Sequence, residues 1–428
     1  MTDPTWTRRR VLLSAGAAAA LSGCSGLGGR SDDSAEAIPI TRLPDVPDPD
    51  ESTPIVEADL PVDIERDRLA GTASRVTDLL GRLPMPLGPE DIPNGHVREE
   101  LVAAAERATD RLDAARSAGT RLSAMRSLRR ARTQARYAAA GWAFVADGRT
   151  EPDLRSAHRE TLNEANAFRS EHEYRGEDPV RAVVVHAGIE ETIERIFGGD
   201  PAPYGDPGAL LTVAEWGESA ESARAGLEDS RYLYGRFGAS LPSDAGDLAS
   251  TFEASAESLT GTLERHLAEL PAAPEESDSR LRMRLEGRLH DEAESSARSA
   301  RDIESPARTV QSATEALVDI LAYDRLRDRI DEGERFRAET GEDVRAIRSE
   351  ALSAIRTGLE ESPRPALVRG ALADAAWLVV HADDELARQH SNVRPAGLDD
   401  TIRRYVTATL RARNAPAACR EVLDTLES

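Results

Sequence analysis

The sequence contains no lysine: all 54 basic residues in its 428 are arginine. A Walker-type phosphate loop needs a Lys on the β/γ-phosphates, and protein-kinase ATP sites and pyridoxal Schiff bases need one too, so all three are excluded. Cysteine is nearly absent, with only Cys24 and Cys419. No disulfide framework and no pair of cysteines at zinc spacing can be built from them. Aromatic residues make up 4% of the chain, so its core must rest on Ala, Leu and Val. Trp6, Trp142, Trp216 and Trp377 are too dispersed for a stacking platform, and Trp142 and Trp377, on Ala-rich stretches, read as core anchors. The sequence has no Glu-x-x-His, no His-Glu-x-x-His, no Gly-x-Ser-x-Gly and no dinucleotide glycine fingerprint. Ferritin-like di-iron, zinc-protease, serine-hydrolase and Rossmann chemistry lose their usual signatures with them.

What is present in excess is acid. Asp and Glu number 77 and the formal charge is −23. Such a chain does not suit duplex nucleic acid, whose phosphates need a basic surface, nor docking on anionic lipid by charge alone. The acid excess reads most simply as a device for solubility. Abundant acid and Arg without Lys, together with few large aromatics, resembles the composition of proteins from salt-loving archaea.

The first residues carry an address. Arg8 and Arg9, followed by Val11 and Leu12, resemble a twin-arginine export signal. The apolar stretch Val11 to Leu21 is shorter than the roughly 20 residues that span a bilayer, and a cleaved signal explains it better. Leu21-Ser22-Gly23-Cys24 resembles a lipobox. That resemblance implies cleavage before Cys24, a thioether lipid on its sulfur, and anchoring to the outer face of the cytoplasmic membrane. Residues 1–23 are then the signal and 24–58 a lipidated, flexible Gly/Pro/Asp-rich tether. Cys419 is left as a small apolar residue on a final helix.

From about residue 60 the hydrophobic period is helical. Leu101, Ala105, Ala108, Leu112 and Ala115 recur at helical steps, and Leu122, Met125, Leu128, Ala135, Ala138, Trp142 and Val145 do so in the next segment. Breaks at Pro84–Gly95, Gly148–Pro152, Gly198–Pro207, Pro271–Pro274 and Pro363–Pro365 divide the chain into about a dozen helices. The expected fold is all-α: a large antiparallel helical bundle or stacked helix pairs, in domains 59–240 and 241–428. Val184-Val185-His186-Ala187 recurs as Val379-Val380-His381-Ala382. The echo points either to two related halves, with Leu210 to Phe237 between them, or to coincidence in an Ala-rich sequence.

Of the eight His, four have an acid four residues later: His96–Glu100, His186–Glu190, His290–Glu294 and His381–Glu385. That spacing puts imidazole and carboxylate on one helix face, where they could share a divalent metal. His186 projects among Ala182, Ile189, Ile193 and Phe197, and His158 and His172 share an apolar stripe in the preceding helix. These residues read either as an imidazole cluster between two helices or as satisfied core histidines. Residues His186 to Glu190, continuing to Ile196-Phe197-Gly198-Gly199-Asp200, resemble the His-x-x-Glu region of imelysin-like proteins. The resemblance implies an exported helical protein associated with iron uptake, although His186 and Glu190 are one residue further apart than in that motif.

The function expected from these features is a non-catalytic binding or structural module of the cell envelope, with a protein partner at the surface. One alternative is a metal-binding or metal-uptake protein using His186, Glu190, His158 and His172. A hydrolase with paired carboxylates is the second.

Overall fold

The computed structural model describes residues 36–48, 52–198, 208–272 and 279–428. Arg8, Arg9 and Cys24 lie outside the described residues. Among those described, twelve α-helices make up almost the whole body: α1 (Arg66–Leu80), α2 (Gly95–Ser117), α3 (Arg121–Asp147), α4 (Glu151–Ser170), α5 (Pro179–Phe197), α6 (Gly208–Ala239), α7 (Ala249–Glu269), α8 (Arg280–Arg301), α9 (Pro306–Asp331), α10 (Gly341–Glu361), α11 (Pro365–Ala387) and α12 (Asp399–Leu426). The fold is all-α. The strands are two residues each, β1 (Arg175–Gly176) and β2 (Gly246–Asp247), paired antiparallel.

Local chemistry sets the helix starts. Asn94 accepts a hydrogen bond from the Val97 N–H at 3.3 Å, and Asp178 accepts from Val180 and Arg181 at 2.9 and 3.3 Å. Thr340 and Asp343 form a reciprocal capping box on α10. Each such cap satisfies N–H groups that the first turn leaves without a helical partner. Pro opens α5, α9 and α11, where its missing N–H costs nothing.

The helices form two sets of six with one packing scheme. In the first half α3 touches α1, α2 and α6, while α6 also touches α4 and α5. In the second half α9 touches α7, α8 and α12, while α12 also touches α10 and α11. Each contact of the first set recurs six helices later. The repeated tetrapeptides fall on α5 and α11, the fifth helix of each set. Leu210 to Phe237 does not separate the halves, as the sequence suggested. It is most of α6, which closes the first set because its Trp216, Leu227 and Leu233 are buried. The halves meet chiefly where α5 lies against α9, with smaller contacts to α11 and α12.

The tether expected over 24–58 differs from the structure in its second part. Ile38, Leu43 and Val56 are buried, and the backbones of Ile38 and Val393 exchange hydrogen bonds at 2.8 and 3.0 Å. These apolar side chains, scattered among Pro and Asp, dock the segment on the helical body, with Ile38 on the second half. Trp377 also departs from expectation: it is 45% exposed and tilts against His381. Cys419 is buried, its thiol 3.4 Å from the Arg364 carbonyl oxygen.

With few aromatics, the core packs through small residues that bring helices close. A Cβ built on Gly217 of α6 would stand 2.3 Å from the Ala140 Cβ of α3. Gly217→Ala is therefore expected to destabilise the protein by about 1–3 kcal/mol, although Ala favours an isolated helix by up to about 1 kcal/mol. Denaturant unfolding measures it, and an unchanged or raised stability would show that α3 and α6 separate at little cost.

Candidate functional site

The link from α4 to α5 shapes the one buried cluster of imidazole and carboxylate groups that the sequence singled out. After Ser170 the chain leaves the helix and runs extended, so His172 and Tyr174 project to one side. The Leu248 N–H then donates to the Tyr174 carbonyl at 2.7 Å, alongside the β1–β2 pairing. A Cβ at Gly176 would lie 2.6 Å from the Ala182 Cβ and 2.7 Å from Leu248 Cδ1, so only glycine lets this strand cross α5 so closely. The crossing brings the Arg175 carbonyl over His186, which is fully buried.

That carbonyl decides the tautomers. Arg175 O lies 3.1 Å from His186 Nε2 and can only accept, so Nε2 carries the proton and Nδ1 is the acceptor. His172 Nε2 lies 2.8 Å from His186 Nδ1 and must therefore donate to it. Phe168, Tyr234, Phe237 and Phe252 wall the pair. Burial pushes the His172 imidazole down to about 3, with His186 adding to the effect. Burial also lowers His186, against the opposing pull of the Arg175 carbonyl. Both rings are neutral at pH 7.

Glu190 lies one turn beyond His186 on α5, yet its carboxylate turns to other partners. Oε1 accepts from the Tyr174 hydroxyl, and Oε2 accepts from the Arg308 backbone N–H at 2.7 Å. Arg308 is in the first turn of α9, whose N-cap Ser305 makes no side-chain cap of its own. Glu194, another turn along α5, accepts from the Ser305 hydroxyl at 3.0 Å and pairs with the Arg308 guanidinium. Glu190 of the first half thus caps a helix of the second, and Glu194 brings a second carboxylate to the same end, where the helix dipole favours negative charge. Burial raises Glu190 to about 7 in spite of the Tyr174 and Arg308 hydrogen bonds. Burial, then the neighbouring Glu190 charge, raises Tyr174.

His158 does not join this group. It is buried within α4, edge-on to Trp216 with ring centroids 5.9 Å apart. About 18 Å of helix separates it from the end of α4 at Ser170, at about 1.5 Å per residue. His381 is exposed, and the acids that follow it pair elsewhere. Asp383 takes Arg348 at 2.8 and 2.7 Å, and Glu385 accepts from the Thr401 hydroxyl at 3.0 Å.

The four expected metal ligands are thus not assembled around one point. Both ring nitrogens of His186 and both oxygens of Glu190 are engaged internally, and among the described residues no group of three or more His, Cys, Asp or Glu is arranged to hold a metal ion. Sequence reasoning missed Tyr174 and Arg308. The alternation His172-x-Tyr174 was a usable signal for the first, while the second lies 118 residues from Glu190 without any local mark.

Fold and site together define an all-α protein of two tandem six-helix units joined through a buried polar clasp. Residues 67–244 match the family described as Domain of unknown function (DUF8262), and residues 249–424 match Domain of unknown function (DUF8264). The boundary between the two matches falls at β2, between the helical halves. No curated protein and no solved structure matches the chain.

Glu190 makes stability depend on pH in a defined direction. Its folded value of about 7 exceeds its ordinary 4.5, so the folded state holds a proton that the unfolded chain releases, and this contribution falls as pH rises through that window. His172 acts oppositely, losing stability as pH falls below 6.5. Glu190→Gln removes only the first effect and keeps an acceptor for the Arg308 N–H. The stability of the variant relative to wild type should rise by on the order of 3 kcal/mol between pH 4.5 and pH 8. Urea titrations across that range test this, and a flat difference would mean that Glu190 titrates as an ordinary carboxylate.

Proposed function

We propose that the protein is a lipid-anchored, non-catalytic binding or structural module on the outer face of the cytoplasmic membrane. The observation that carries the non-catalytic part is the closure of the His172–His186–Tyr174–Glu190 cluster on itself. Every ring nitrogen of His186 and every oxygen of Glu190 serves a contact inside the body, and the last of these joins one half to the other. The cluster works as a clasp. Catalysis or metal transport would need groups presented to a ligand, in a protonation state suited to the task.

The anchoring part rests on Arg8, Arg9 and the Leu21-Ser22-Gly23-Cys24 stretch. The lipid on Cys24 is the proposed attachment, and no helix among the described residues is long and apolar enough to cross a membrane. An acidic body carried this way meets protein or small-molecule partners at the surface, and its charge disfavours nucleic acid.

Two measurements test the reading. Cells producing the full chain should retain it in the membrane fraction, and Cys24→Ser should release it to the medium. Equal retention of both would remove the lipid anchor. Purified mature protein and its His186→Ala variant should both carry well under one equivalent of metal. About one equivalent in the wild type, lost in the variant, would replace the clasp by a metal centre and restore metal uptake as the function.

A further inference from the structure

In a chain with 77 acidic residues, α3 stands apart. It carries six arginines, Arg121, Arg126, Arg129, Arg130, Arg132 and Arg136, and a single carboxylate, Asp147, at its last position. One flank of α3 opens into a groove of about 620 Å³ walled by α1, α4 and α6. Six arginines and four carboxylates line it, the reverse of the balance in the chain as a whole.

The pairing inside the groove leaves cations over. Glu221, buried at the floor, is shared among three guanidinium groups. Arg132 Nε donates to it at 2.5 Å, Arg75 Nε and Nη2 donate at 3.2 and 3.3 Å, and Arg136 Nε stands 4.0 Å away. Glu228 takes a second bond from Arg132 at 2.6 Å, and Asp229 is held by Arg68 at 3.1 Å and Arg129 at 3.6 Å. Glu221, Glu228 and Asp229 are thereby committed, and Asp153 accepts from the Thr150 hydroxyl at 3.0 Å. Among the described residues Arg136 comes no closer than that 4.0 Å to any carboxylate, and Arg149 makes no ion pair. Burial lowers Arg136 despite Glu221, and repulsion from Arg149, Arg75 and Arg82 adds to it. This is the signature of a site with more positive charge than its own residues neutralise. Gly71 on α1 leaves the groove open, for a Cβ there would meet nothing within 4 Å.

We propose that this groove binds a phosphate-bearing ligand through Arg136, Arg149 and Arg75. The three guanidinium groups come from the body of α3, from the turn after it and from α1, so they approach one space from separate directions. Arg75 holds Glu221 through Nε and Nη2, which leaves its Nη1 to donate to a ligand. A tetrahedral phosphate offers an oxygen to each of three guanidiniums and has the charge to offset two of them. The ligand is either a soluble phosphate compound or the phosphate of a lipid headgroup, since both present the same group. The proposal does not depend on the lipid anchor or on the clasp.

Calorimetric titration of the Cys24→Ser chain with inorganic pyrophosphate tests it, beside Arg136→Gln and Arg149→Gln. Arg149 sits in an exposed turn, so its variant keeps the test valid if Arg136→Gln fails to fold. One saturable site is expected, weakened at least about tenfold in each folded variant, as loss of a charged hydrogen bond requires, with the thermal midpoint of Arg149→Gln unchanged. No saturable binding into the millimolar range, or equal affinity in Arg149→Gln, would overturn the proposal. Sedimentation with phosphatidylglycerol vesicles, against phosphatidylcholine vesicles, then assigns the source. Retention that needs Arg149 marks a headgroup, and pyrophosphate binding without retention marks a soluble phosphate.

Discussion

A buried carboxylate at the first turn of α9 holds the molecule together. Glu190 sits where charge is costly, and burial alone would leave it without water or partner. The Arg308 N–H and the Tyr174 hydroxyl make the position tolerable, and each belongs to a different part of the chain. Tyr174 is placed by the β1–β2 crossing, which in turn needs Gly176. The imidazole pair fills the space beneath, its tautomers fixed by one backbone carbonyl. Shifting any of these elements would leave a buried polar group unsatisfied, so the cluster specifies how the halves meet as much as it stabilises them.

The two halves follow one plan and differ where the plan meets the interface. In the first, the eight-residue link from Glu171 to Asp178 roofs the fifth helix and covers His186. In the second, α10 and α11 are joined by Ser362 to Arg364 alone, too short to form a roof. His381, which matches His186 in the repeated tetrapeptide, lies near the far end of α11 from that link and is exposed beside Trp377. One sequence motif thus occupies a sealed environment near the start of α5 and an open one near the end of α11.

Much of the architecture was legible because helices announce themselves locally. Period and Pro/Gly breaks yield the helical class and the approximate number of helices, and Asn94, which caps α2, lies in one of those breaks. The site was harder to read, for identifiable reasons. His158 and His172 share a stripe only if one helix carries both, and α4 ends at Ser170. Helical projection beyond a helix end has no meaning, so the two imidazoles part. Trp377 looked like a core anchor because its neighbours are alanines, but helix composition does not reveal whether a neighbouring element covers a given face. The α3 arginines were visible in the sequence as a run. That Arg136 comes no closer than 4.0 Å to a carboxylate among the described residues became visible only when α1, α4 and α6 were in place around it.

The docking of Ile38 on Val393 has a temporal consequence. A ribosome delivers the first of these residues some 355 positions before the second, so the pairing cannot form while the chain is being made. The bridge closes only after α11 has emerged, which makes this short antiparallel pairing one of the last contacts the chain can form.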